Sequence, residues 1–137
     1  MIRPVTCAII AAMLLPVPAH AQAAPDARAA VIGAATALSM GYGVWLMEKR
    51  CQTLSPEKRK AFDAVVMDDL NRLQAAADEK LFNATVGAGR DLSNDPKYAD
   101  CKEFATGGLV DFGLDQARDA AGKLASLPPG FHLTITD

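Results

Sequence analysis

A chain of 137 residues has room for one domain. Its 14 Lys+Arg stand against 16 Asp+Glu, a formal net charge of −2, which argues against nucleic acid as a partner, since that needs a basic face. With two histidines and three cysteines, the side chains from which metal centres and nucleophilic triads are built are thin.

The amino terminus reads as an export signal. Arg3 is the only charge before Asp26, residues 5–17 form an apolar run, and Ala19-His20-Ala21 supplies the small residues that signal peptidase needs. The run is too short to span ~30 Å of hydrocarbon, so it is a signal peptide (1–21) rather than an anchor. Cleavage is expected after Ala21, with Ala23 as the second choice. Cys7 stands near the start of this run with the apolar core after it rather than before it, so it is no lipoprotein cysteine and leaves with the signal. The Ala-rich signal points to a bacterial source and a periplasmic location.

Residues 22–28 (QAAPDAR) read as a loose, flexible mature N-terminus, followed by a helical domain over 29–126. Residues 29–47 carry no charge. Val31, Leu38, Tyr42 and Trp45 fall on one helical stripe, with Gly33, Ala37 and Gly41 on a small-residue stripe beside it. Two readings follow: a buried core helix approached closely by a neighbour, or a transmembrane helix with a small-xxx-small face. The core helix is preferred, because over half of these residues are Gly, Ala, Ser or Thr, which drive insertion poorly.

Lys49 and Arg50 close that helix where its dipole favours cations. Ser55 as N-cap, Pro56 at the first position and Glu57 in the first turn open the next. Phe62, Val65, Val66, Leu70, Leu73, Ala77, Leu81 and Ala84 then keep helical spacing, with Asp68 and Arg72 paired on the outer face. Gly87 and Gly89 mark residues 86–95 as a loop. A further helix is expected from the capping run Ser93-Asn94-Asp95-Pro96 to about Leu124, with Tyr98, Cys101, Ala105, Leu109 and Phe112 on its inner face. Gly107, Gly108 and Gly113 predict a kink or a close contact in it. Leu127-Pro128-Pro129-Gly130 stops the helix. The extended tail (127–137) then alternates Phe131, Leu133 and Ile135 with His132, Thr134 and Thr136, a strand pattern without a partner strand.

In an oxidising compartment Cys51 and Cys101 are expected to form a disulfide. Closing a loop of about 50 residues contributes ~4 kcal/mol in the chain-entropy model. With no Cys-x-x-Cys pair the bridge is structural rather than redox-active. It also constrains the fold. A second helix running unbroken to Asn83 would be ~42 Å long, and the chain must return that distance to bring Cys101 within ~7 Å of Cys51. A break near residues 74–78 solves this more easily, although Ala75-Ala76-Ala77 favours continuity. The fold class is therefore all-α: a small three- or four-helix bundle with one disulfide and a short extended C-terminal tail.

Chemistry is sparse. His132 reads as a surface residue and Gly87-Ala88-Gly89-Arg90 as a turn rather than a phosphate loop. Asp111, Asp115 and Asp119 could offer carboxylates to a divalent cation, but a solvated acidic stripe is the simpler account. Lys49, Arg50, Lys58, Arg59 and Lys60 cluster at one hairpin end that could meet anionic lipid or an acidic partner. The layout resembles those of periplasmic acid-stress chaperones and of immunity proteins that neutralise secreted toxins, in compartment, size and cysteine pair only. No residue role carries over.

The expected function is that of a non-enzymatic binding or accessory protein of the cell envelope, without a cofactor, metal or catalytic residues. Its expected partner is another envelope or secreted protein, met through Phe131, Leu133, Ile135, Lys58 and Arg59. The alternatives are a membrane-anchored accessory subunit spanning the bilayer with residues 29–47, and a ligand carrier or enzyme whose site the sequence does not reveal, the acidic stripe being one candidate.

Overall fold

The computed structural model describes residues 20–136, with side chains described from Asp26 onward. Most of the expected signal segment thus lies outside the described residues. Four long helices, α1 (His20–Cys51), α2 (Pro56–Ala76), α3 (Glu79–Ser93) and α5 (Leu109–Ala125), pack into a bundle. A short α4 (Cys101–Thr106) crosses one end, preceded by a 3-10 turn at Pro96–Tyr98. The all-α class and the Cys51–Cys101 disulfide are both present, with Cα atoms 5.4 Å apart.

The uncharged α1 is the core. Val31, Leu38, Val44 and Met47 have no exposed surface. Its small residues let two helices approach at backbone distance. A Cβ on Gly41 would lie 3.0 Å from the Ala117 nitrogen on α5, and one on Gly43 would lie 2.8 Å from the Gly89 oxygen on α3. Residues 22–28, expected to be loose, belong to α1. Alanine favours the helix, and Ala27 is buried at the end of α5, where it lines a depression with Ser126 and Pro128.

α2 starts as its sequence dictates: the Ser55 hydroxyl accepts from the Lys58 N–H at 3.4 Å, and Pro56 occupies the first turn. It ends at Ala76 despite the alanine run. Ala77 is extended (φ −139°, ψ 158°), and the Asp78 carboxylate caps α3 by accepting from the Leu81 N–H at 3.0 Å. The tail makes the break tenable. Leu133 N–H donates to the Ala76 carbonyl (2.8 Å) and its carbonyl accepts from Asp78 N–H (2.9 Å), so backbone groups that leave the helix ladder regain partners.

Two further expectations are corrected. Residues 86–93 are helical, not a loop, because Gly89 serves close packing: a Cβ there would lie 2.5 Å from the Tyr42 ring. The last helix breaks where Gly107 and Gly108 predict a kink, with Gly108 left-handed (φ 69°), but the break is complete and separates α4 from α5. That restart changes the helical phase. Phe104 is buried in α4, while Val110, Gly113, Ala117, Ala120 and Leu124 face inward on α5. Phe112, expected inside, is 42% exposed.

Candidate functional site

At the α1–α2 junction a buried acid organises the turn. Glu48 lies in phase with Val31, Leu38 and Trp45 on α1 and is fully buried. Its carboxylate accepts from the N–H and hydroxyl of Thr53, from Leu54 N–H (2.8 Å) and from Arg59 Nε (3.4 Å). Arg59 also donates to the Leu54 carbonyl at 2.9 Å. Beside it, Trp45 Nε1 donates to Asp63, and Lys49 Nζ sits 4.4 Å over the indole ring and 3.7 Å from Asp63. Arg50 reaches the other way, donating to the carbonyls of Ser93 (3.2 Å) and Tyr98 (3.1 Å). The basic cluster read from the sequence is therefore largely engaged within the chain; Lys58 and Lys60 remain on the exposed face.

A second cluster closes the α2–α3 break. Asp78 accepts from Leu81 N–H and from Ile135 N–H, the latter at 2.6 Å. These N–H groups, Leu81 first, hold its carboxyl below the ordinary 3.8; burial opposes them weakly, and His132 and Lys80 add to the lowering. His132 Nδ1 lies 3.1 Å from the Ala75 carbonyl and donates to it in the tautomer protonated there. Leu133 is 5% exposed, and Phe131 and Ile135 are half-buried against the core. The apolar edge of the tail is thus engaged by its own bundle, so it is no free strand. Phe131, Leu133 and Ile135 stand near the C-terminal end of α2, and Lys58 and Arg59 at its start about 30 Å away. The structure does not bring these sequence-predicted residues together.

On α5, Asp115 lies 3.7 Å from Arg118, and Asp119 pairs with Lys123. Among the described residues no group of three or more His, Cys, Asp or Glu is arranged to hold a metal ion. A shallow groove runs between α1 and α3, lined by Ile32, Ala35, Ser39, Leu81, Ala84 and Ala88 among others.

The chain matches no family model, no curated protein and no solved structure. The functional reading accordingly rests on these residues.

One group escaped the sequence reading altogether. Asp69 is fully buried on α2, and neither of its oxygens has a hydrogen-bond partner. Burial, reinforced by the Asp68 carboxylate and opposed by Arg72, pushes its pKa up to about 7. A signal was present: Phe62, Val66, Leu73 and Ala76 form the inner row of α2, and Asp69 is the charge within it. Val65 and Leu70, half-buried beside that row, widen the apolar stripe so that the charge within it is less conspicuous.

Proposed function

We propose that this chain is an exported, non-enzymatic helical binding protein of the bacterial cell envelope, with another envelope or secreted protein as partner, in a chaperone-like or immunity-like role. The observation that carries this reading is the use made of the polar side chains. Glu48, Arg50, Arg59, Asp78 and His132 each hold a helix junction together. What the surface then offers for recognition is helix faces, on which Ile32, Met67 and Phe112 are exposed. The disulfide supports export, since such bonds persist in oxidising compartments.

A membrane-anchored subunit draws on one observation: residues 26–51 are long and apolar enough to cross a bilayer. Spanning would require Val31, Leu38 and Met47 to leave the core they fill. Osmotic-shock fractionation separates the two. The binding reading expects a chain starting at Gln22, released without detergent. Photo-crosslinkers placed at Ile32, Met67 and Phe112 are then expected to trap a discrete protein adduct in intact cells. Retention in membranes, or no adduct from any of the three positions, defeats it.

A further inference from the structure

The anomaly of this fold is a carboxyl with no partner in the middle of a helix face that must seal the core. Asp69 lies between Val66 and Leu73 on the row that α2 turns toward its neighbours, and both its oxygens are without a hydrogen bond. A leucine there would complete the row; an ionised carboxylate in the same place has lost its water and gained nothing. The surroundings offer no relief. α1 carries no Asp, Glu, Lys, Arg or His between Arg28 and Glu48, and Glu48 is engaged at the far turn. On α5 the acids Asp111, Asp115 and Asp119 and the base Arg118 are exposed, and Lys123 pairs with Asp119. On α3, Glu79, Lys80, Arg90 and Asp91 are exposed, and in the tail His132 stands beside Asp78. The charges that act on Asp69 are its α2 neighbours Asp68 and Arg72, which pair with each other at 2.7 Å on the outer face.

α2 is also the long helix least fastened in its middle. Glycines bring α1 to backbone distance from α3 and α5, and the disulfide ties α1 to α4. Among the described residues no glycine brings α2 to backbone distance from a neighbour. Its polar fastenings lie toward its ends: Arg59 with Glu48 and Asp63 with Trp45 at one, the tail at the other, while apolar packing alone holds the middle.

We propose that α2 is a proton-gated flap: with Asp69 protonated it lies sealed on α1 and α5, and with Asp69 ionised it loosens and bares the apolar faces beneath. The gate does not depend on the chain having a partner. Its direction follows from the buried and free values of the carboxyl. Free, it titrates near 3.8; buried, near 7. The sealed form is fully favoured below the lower value, loses its advantage about tenfold per pH unit between the two, and loses no more above the higher.

Hydrogen exchange followed by mass spectrometry at pH 5 and pH 8, corrected for the intrinsic rate, tests this on the full disulfide-bonded chain. The opening equilibrium of the 56–76 amides is expected to rise about 100-fold from pH 5 to pH 8, with a much smaller change in α5 and in the glycine-packed half of α1. Asp69→Asn and Asp69→Leu are each expected to flatten the response, and either variant suffices if the other fails to fold. A wild-type chain whose α2 exchange is the same at both pH values overturns the proposal. So does loosening spread evenly over all helices, or a response that persists in the variants.

Discussion

Glu48 and Asp69 are both fully buried carboxyls, and they differ in what surrounds their oxygens. Glu48 gathers two backbone N–H groups, a hydroxyl and a guanidinium at one turn, so it holds three segments together. Glu48→Ala would leave these donors facing a void. It is expected to destabilise the chain by about 3 kcal/mol in urea denaturation, with Glu48→Gln losing less because the amide oxygen still accepts. A loss below about 1 kcal/mol would show that water replaces the carboxylate readily. Asp78 has the opposite pH sign to Asp69. Its lowered pKa means that its hold on α3 and the tail is complete above 3.8 and is lost as the pH falls through its own lower value. The Ile135 amide, followed by NMR, is expected to shift with that acidic titration and to be insensitive to it in Asp78→Asn. An Ile135 amide that shows no titration would mean that the contact is not held in solution.

At the scale of elements, the glycines divide into two kinds that composition alone does not distinguish. Gly113 meets Val44, and a Cβ there would lie 2.4 Å from the Val44 Cβ; Gly87 in α3 has open space around it. Gly113→Ala is therefore expected to force α1 and α5 apart and destabilise by about 1–3 kcal/mol. Gly87→Ala is expected to stabilise by about 0.5–1 kcal/mol through helix propensity. Thermal melts of the pair check both signs, and the packing account fails if they agree. This ambiguity is also why the second half of α3, residues 86–93, was illegible in the sequence. Gly87 and Gly89 look like turn residues, and only the neighbouring Tyr42 and Gly43 show that Gly89 is a contact. The start of α2 was legible because Ser55 and Pro56 act within their own turn. Its end was legible only through the distance that the disulfide imposes, since the alanine run argues locally for continuity. The tail pattern was legible but its destination was not: its partner is a helix break rather than a strand. A chain ending at Pro129 is expected to melt clearly lower, because it loses buried Leu133, the half-buried Phe131 and Ile135, and the partners of Ala76 and Asp78. Their burial is worth about 2–4 kcal/mol. An unchanged melting temperature would return the tail to the role of a free docking strand.

Across the whole molecule, two devices hold the α4 end against α1: the Cys51–Cys101 bond and the fork of Arg50. The first acts on the unfolded chain, closing a loop of about 50 residues and contributing ~2–4 kcal/mol once real departures from the entropy model are allowed for. The second acts only in the folded state, where Arg50 gathers the carbonyls of Ser93 and Tyr98 on either side of the turn that leads to α4. Because both fasten the same segment, their effects are coupled rather than additive. With the disulfide intact, the segment carrying Ser93 and Tyr98 stays near Arg50 whatever its side chain does, and Arg50→Ala is expected to lower stability by less than about 1 kcal/mol. With the disulfide reduced, the same substitution removes the remaining polar tether, leaving buried Phe104 to hold α4 alone, and its effect is expected to at least double. Reduction by itself is expected to lower the melting temperature by about 10 °C. A double-mutant cycle on oxidised and reduced chains, read by calorimetry, measures the coupling directly. Strict additivity would mean that the two devices hold different parts of the fold, and that the region between Ser93 and Cys101 moves as more than one unit.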